Sequence, residues 1–178
     1  MRIPLERSTR LALCLCALAA LPGAALAAAD SDRFRAIYEK EWAFRLQEFP
    51  LFASYVGVHD YSDRLGHVAE QDQARRHAFW TGIRAELDDI SCARLERDEC
   101  IDYRIFVAQM DNFIAGYATR SYLIPFSSDS GFYTDWVRLP EDTEFGRAED
   151  YRDYLARLHE LPAVMDEYIA LMRRGIEL

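Results

Sequence analysis

The sequence predicts an all-α protein: about five to six helices in an irregular bundle, with a long aromatic-rich loop before the last two helices. Two observations carry this. Apolar side chains recur at three- and four-residue steps through most of residues 31–178, which is the repeat of one helix face. No segment alternates convincingly between apolar and polar residues for four or more positions, so strands should be few. A composition of 51% hydrophobic and 29% charged residues is a globular mixture large enough for one core.

The elements follow in order. Ser31 is placed to cap a helix whose face is Phe34, Ile37, Tyr38, Trp42, Leu46 and Phe49, and Pro50 ends it. A short turn over Leu51–Val56 is closed by Gly57, and Val58 to Glu70 reads as loop. A second long helix covers about Gln71–Leu87, with Phe79, Trp80, Ile83 and Leu87 on one side. A third starts near Asp98 and carries Tyr103, Phe106, Val107, Met110, Phe113, Ile114 and Tyr117 in register. Residues 119–146 form the long connection. Pro125 and Pro140 bracket Phe126, Phe132, Tyr133 and Trp136 around a turn-rich run from Ser127 to Gly131. Two helices close the chain, one lined by Tyr151, Tyr154, Leu155 and Leu158. The other opens at Pro162 and is lined by Met165, Tyr168, Ile169, Met172 and Ile176.

The first 27 residues read as an address. Arg2, Arg7 and Arg10 outweigh Glu6, Leu11 to Leu21 is uncharged, and Pro22-Gly23 breaks the run. Ala25 and Ala27 supply small residues where a signal peptidase cuts. The expected domains are therefore a signal peptide at 1–27 and a helical segment at 28–178, located in the periplasm or secreted. The rival reading, a membrane anchor, meets an apolar stretch divided by Pro22-Gly23. Cys14 and Cys16 each follow Leu, where a lipoprotein signal needs a small residue. No stable membrane anchor is expected.

Charge narrows the partners. Thirty acidic against 21 basic residues give a net charge of −9, the wrong sign for a nucleic-acid footprint. Removing the leader takes three arginines and one glutamate and leaves the chain more acidic still. Of the basic residues only Lys40 is a lysine. In the exported chain Cys92 and Cys100 remain. They bridge if a turn lies between two helices, and stay two buried thiols if one helix runs through both.

Candidate chemistry is sparse. His159-Glu160-Leu161-Pro162-Ala163 starts like a zinc-protease motif, but Ala163 stands where the second His belongs; a helix-end ion pair is the simpler role. His59, Asp60, Tyr61, Asp63, Arg64 and His67 gather in one loop. They suit either a metal or acid–base group, or local turn capping with Arg64 paired to a carboxylate. Ser127 to Ser130 offer hydroxyls without a nucleophile elbow or a His placed to serve it. No catalytic, cofactor-binding or metal-binding residue is identified.

Phe49-Pro50-Leu51-Phe52-Ala53-Ser54-Tyr55-Val56-Gly57-Val58-His59-Asp60-Tyr61-Ser62-Asp63-Arg64-Leu65 resembles the N-terminal signature of a bacterial family, domain of unknown function 885. Here the Asp after the Tyr stands one place later, at Asp63. Asp98–Gly116 is similar to the family's helix after an acidic turn. Ala148 to Leu158, followed by Leu161, Pro162 and Asp166, resembles its Asp-Tyr-x-x-Tyr-Leu-x-Arg-Leu segment. The resemblance implies a mostly helical, exported, zinc-peptidase-like protein several times longer. Its His-Glu and Pro-Gly-His metal motif would lie in the C-terminal half, and nothing here matches it. The resemblance thus implies an N-terminal part, incomplete at its C-terminus, with no cofactor of its own. Zinc would belong to a longer member, and peptide substrate would be met only through the missing part. It also makes His59, Tyr61, Arg64, Ser127 and Asp129 candidates for the wall of a substrate groove. The other reading is a self-sufficient periplasmic binding module.

Overall fold

The computed structural model describes the backbone of residues 21–178 and the side chains of residues 28–178. The expected leader lies largely outside the described residues, as do the side chains of its cleavage positions Ala25 and Ala27. Six α-helices are present among the described residues: α1 (Leu21–Glu48), α2 (Pro50–Tyr55), α3 (Glu70–Asp88), α4 (Arg97–Ala118), α5 (Phe132–Arg138) and α6 (Ala148–Ile176). Two 3-10 turns, Cys92–Arg94 and Ser121–Leu123, accompany them. No helix among the described residues is long and apolar enough to cross a membrane. The all-α class expected from periodicity is the class observed.

The core lies where α3 packs on α4 and α1 lies against α3. Ile37, Trp80, Ile83, Leu87, Ile90, Leu95, Phe106 and Met110 form it, rimmed by Phe34, Phe44, Phe49 and Phe113. Leu87 and Met110 are fully buried, each contributing about 1.5–3 kcal/mol of transfer free energy. Tyr103 adds a polar tie by donating its hydroxyl to the Leu87 carbonyl at 3.0 Å.

Helix α1 departs from expectation. Ser31 is not its N-cap, because the helix is already under way at Leu21; Ser31 instead donates to Glu99 Oε2 at 2.7 Å. The inward row also differs from the one read off the apolar residues. Tyr38 is exposed, whereas Asp30, Glu41 and Glu48 are buried beside Ile37. Buried carboxylates persist only with partners, and each has one. Asp30 accepts from Arg94 at 2.7 Å. Glu41 accepts from Arg45 at 2.9 Å and from the Trp80 indole at 3.2 Å. Glu48 accepts from Arg75 and Arg76 at 2.7 and 2.9 Å. The row alternates hydrocarbon with ion pairs, which a search for apolar spacing passes over.

A 3-10 turn separates α3 from α4, so Cys92 and Cys100 are not on one helix. Their Cα atoms stand 5.1 Å apart and the sulfurs are bonded. Glu96 and Glu99 cap the start of α4 reciprocally.

The long aromatic-rich connection is present and carries short ordered elements: the turn at Ser121–Leu123, a bridge between Phe126 and Gly131, and α5. Two of its aromatic residues, Phe132 and Trp136, pack on the last helix. Phe132 stacks on Tyr168 at 4.2 Å between ring centroids, and Trp136 meets the same ring edge-on at 5.5 Å. The last two expected helices are one, α6, with Pro162 inside it. Pro162 forfeits one backbone hydrogen bond, but the apolar rows on either side keep a common phase and the helix runs on. Its buried row is Arg157, Val164 and Leu171, while Tyr151, Leu155 and Leu158 face outward. An arginine sets the inward side, for a reason visible at the site.

Candidate functional site

Segment 57–69 has no regular secondary structure. It leaves α2 through Gly57, whose φ of +83° only glycine adopts without strain. Its backbone polar groups need partners, and three side chains of α6 supply them. Arg157 Nε donates to the Arg64 carbonyl at 3.1 Å. Its Nη2 donates to the carbonyls of Pro50 and Tyr61, both at 3.3 Å, and to Ser54 Oγ at 2.7 Å. Glu160 accepts the Leu65 N–H at 2.6 Å, and Glu167 accepts the Val68 N–H and His67 Nδ1, each at 2.8 Å. From the other side Arg76 donates to the His67 carbonyl. Glu160 is therefore a loop anchor in mid-helix, not the helix-end ion pair expected for it.

Arg157 is 4% exposed, with neutral acceptors for all its hydrogen bonds. Burial lowers its pKa from the usual arginine value, and the nearby charges of Asp153, Asp63 and Glu160 partly oppose that. Its Nη1 carries no hydrogen bond among the described residues, and it is not one of the fully enclosed orphan atoms, of which there are none.

Arg157 belongs to the floor of a cleft of about 840 Å³. One wall is α2 and the following loop, with Phe52, Tyr55, His59 and Asp60. The other is the end of α5, the turn after it and the first turns of α6. Seven carboxylates line it: Asp60, Asp135, Asp142, Glu144, Glu149, Asp150 and Asp153. Asp150 is committed to the helix start. It accepts the Arg147 N–H at 2.7 Å and the Arg147 guanidinium at 3.2 Å, and the backbone bond first of all holds its carboxyl below the usual range. The other six have no ion-pair partner among the described residues. Tyr55, 86% exposed, stands at the α2 side.

The candidate residues of the sequence disperse. His59 lines the cleft. Tyr61 and Arg64 are not among the lining residues; the Arg64 guanidinium sits 5.2 Å over the Tyr61 ring and 3.4 Å from Asp63. Ser127 and Asp129 are not among the lining residues. They close their own turn, Ser127 Oγ donating to Asp129 Oδ1 at 2.9 Å and Ser127 N to the Ser130 carbonyl at 2.7 Å. No group of three or more His, Cys, Asp or Glu is placed to hold a metal ion among the described residues. The sequence reading gives no site role to Arg157 and Glu167, and it assigns Glu160 a different one. Their signal was three ionisable residues, spaced three and seven apart, on the side of α6 that also carries Val164 and Leu171.

The family model described as Bacterial protein of unknown function (DUF885) matches residues 50–178. The chain belongs to this family. The match begins at Pro50, the first residue of α2, and covers both walls of the cleft, the loop and its α6 anchors. No curated protein and no solved structure matches the chain.

Proposed function

We propose that this DUF885 member is the helical groove-wall segment of an exported zinc-metallopeptidase-like protein. Residues 1–27 direct export and residues 28–178 are the exported helical part. The observation that carries the reading is the cleft, a concavity whose lining residues all fall inside the family-matched region and whose loop wall is braced by α6. Its donor set does not fit zinc: the lining carboxylates and His59 do not converge as three ligands. On this reading the metal-binding residues belong to another part of the protein, and the chain on its own cleaves no peptide.

The test is a peptide-mixture digest read by mass spectrometry, with the full chain alone, with zinc, and with zinc plus chelator. Unchanged peptides in all three are expected. Turnover that the chelator abolishes would overturn the inactive part of the reading.

A second reading draws on the closed core of α1, α3 and α4. It makes the chain a self-sufficient periplasmic binding module using the same cleft. A monodisperse product with one cooperative melt is its expected signature; aggregation counts against it.

A further inference from the structure

Helix α6 carries two rows. One, Arg157, Val164 and Leu171, is buried within this chain. The other is Tyr151, Leu155, Leu158, Pro162, Met165 and Ile169, set at alternating four- and three-residue steps. Tyr151, Leu155, Leu158 and Pro162 are exposed, and Met165 and Ile169 are half-buried. A helix facing water gains nothing from an apolar row on its solvent side. A step that averages about 3.5 residues is the seam of two paired helices, where side chains of one enter the spaces of the other. From Tyr151 to Ile169 that seam is about 27 Å long.

The charges beside the row identify the second helix. Arg152, His159, Asp166 and Arg173 follow at seven-residue steps along one flank. Arg152 and Asp166 are exposed and form no ion pair among the described residues. A second copy of α6 laid antiparallel across the first, Leu155 on Met165 and Leu158 on Pro162, brings Tyr151 onto Ile169 as well. The same register sets Arg152 against Asp166 of the second copy, and by symmetry Asp166 against the other Arg152. His159 falls opposite its own copy at the two-fold axis. Sliding one heptad toward the C-terminus sets Arg152 against Arg173 instead, and a parallel pair sets Asp166 against Leu161. The helix therefore complements itself in shape and charge together, as a two-fold interface requires. A net charge of −9 resists indiscriminate self-association, so pairing has to come from such a local match.

We infer that two copies of this chain pair antiparallel along the outward row of α6, with reciprocal Arg152–Asp166 ion pairs fixing the register. The seam begins among the turns of α6 that supply Asp150, Asp153 and Tyr154 to the cleft, so pairing braces the helix that forms one cleft wall. The inference stands independently of the groove reading.

The experiment is sedimentation velocity on the full chain across the micromolar range at physiological salt. A concentration-dependent species with the mass of two chains is expected, and nothing larger. Arg152→Glu and Asp166→Arg each set like charges face to face twice, and each should weaken the dimer by about tenfold or more. The double variant Arg152→Glu/Asp166→Arg restores opposite charges and should return to within about threefold of the parent. Leu155→Gln/Leu158→Gln should leave a monomer. Circular dichroism checks that every variant is folded, which the exposure of these four positions leads one to expect.

A monomer throughout the range would overturn the inference, and so would association that grows past two chains. A dimer unmoved by either single charge change would place the interface elsewhere and overturn it too. Weakening in both single variants without recovery in the double variant would overturn the antiparallel register.

Discussion

Replacing Arg157 by Met keeps a long apolar stem and deletes the donors that hold the site loop. Four hydrogen bonds are lost, to Arg64, Pro50, Tyr61 and Ser54. A bond from a charged group contributes about 1.5–3 kcal/mol. Three of these are at 3.1–3.3 Å, the long end of the range, so the lower figure applies. Two effects reduce the sum. The variant no longer buries a cation, and water entering from the cleft serves some of the released carbonyls. A net loss of about 3 kcal/mol remains, which lowers the melting temperature by roughly 6–12 °C for a chain of this size. Hydrogen exchange by mass spectrometry should show the loss where it acts: faster exchange over residues 58–68, with the α3–α4 core unchanged under native conditions. Arg157→Lys should recover less than half, because one ammonium cannot reach acceptors that a planar fork reaches together. A melt within about 2 °C of the parent, or exchange that rises evenly across the chain, would refute the clamp.

Three further predictions concern stability. Cys92→Ala/Cys100→Ala opens a loop of sequence separation 8 and should lose about 2.5 kcal/mol by chain entropy, read as a melt that no longer responds to reductant. Leu87→Ala removes a fully buried side chain from the core and should cost about 2–5 kcal/mol in a urea titration. The third is a pH effect. The Arg94 guanidinium, helped by the Ser91 N–H, holds the Asp30 carboxyl below its usual 3.8. A carboxyl depressed in the folded state stabilises above its unfolded pKa, and loses that contribution as pH falls through the folded value. The melting-temperature gap between the parent chain and Asp30→Asn should therefore be full at pH 6 and close below about pH 4. Parallel curves down to pH 2 would sink the assignment.

What could be read from the residues depended on whether an element is specified by its own periodicity or by distant partners. Helices α3 and α4 are legible nearly to their ends because hydrocarbon dominates their inward rows, Trp80, Ile83 and Leu87 in α3 and Phe106 and Met110 in α4, even though Asp72 and Arg76 are also buried in the first half of α3. The α1 row was misread because Asp30, Glu41 and Glu48 occupy inward positions that an apolar search assigns to solvent. Each is there because a cation meets it: Arg45, four residues on in α1 itself, meets Glu41, whereas Arg94 and Arg75, the partners of Asp30 and Glu48, lie outside α1 and no spacing within it encodes them. Pro162 gave a false boundary: a missing N–H weakens a helix locally, but 29 residues of shared phase outweigh one bond. The aromatic connection gave no helical repeat long enough to show α5, whose seven residues depend on stacking against Tyr168. At the site, His59 was found and its supports were not. Arg157 reads as a surface residue until the carbonyls that require it are known.

The α6 anchors also set an order of events in time. Leu65 and His67 find their partners in Glu160 and Glu167, 95 and 100 residues downstream. At about 5–20 residues per second, the ribosome delivers those partners roughly 5–20 s after it makes the loop. Through that interval the α1–α3–α4 contacts can already form, since their residues are synthesised by position 118. The segment bearing His59 waits with its backbone in water. A nascent chain stopped short of residue 157 would carry a core but no assembled cleft.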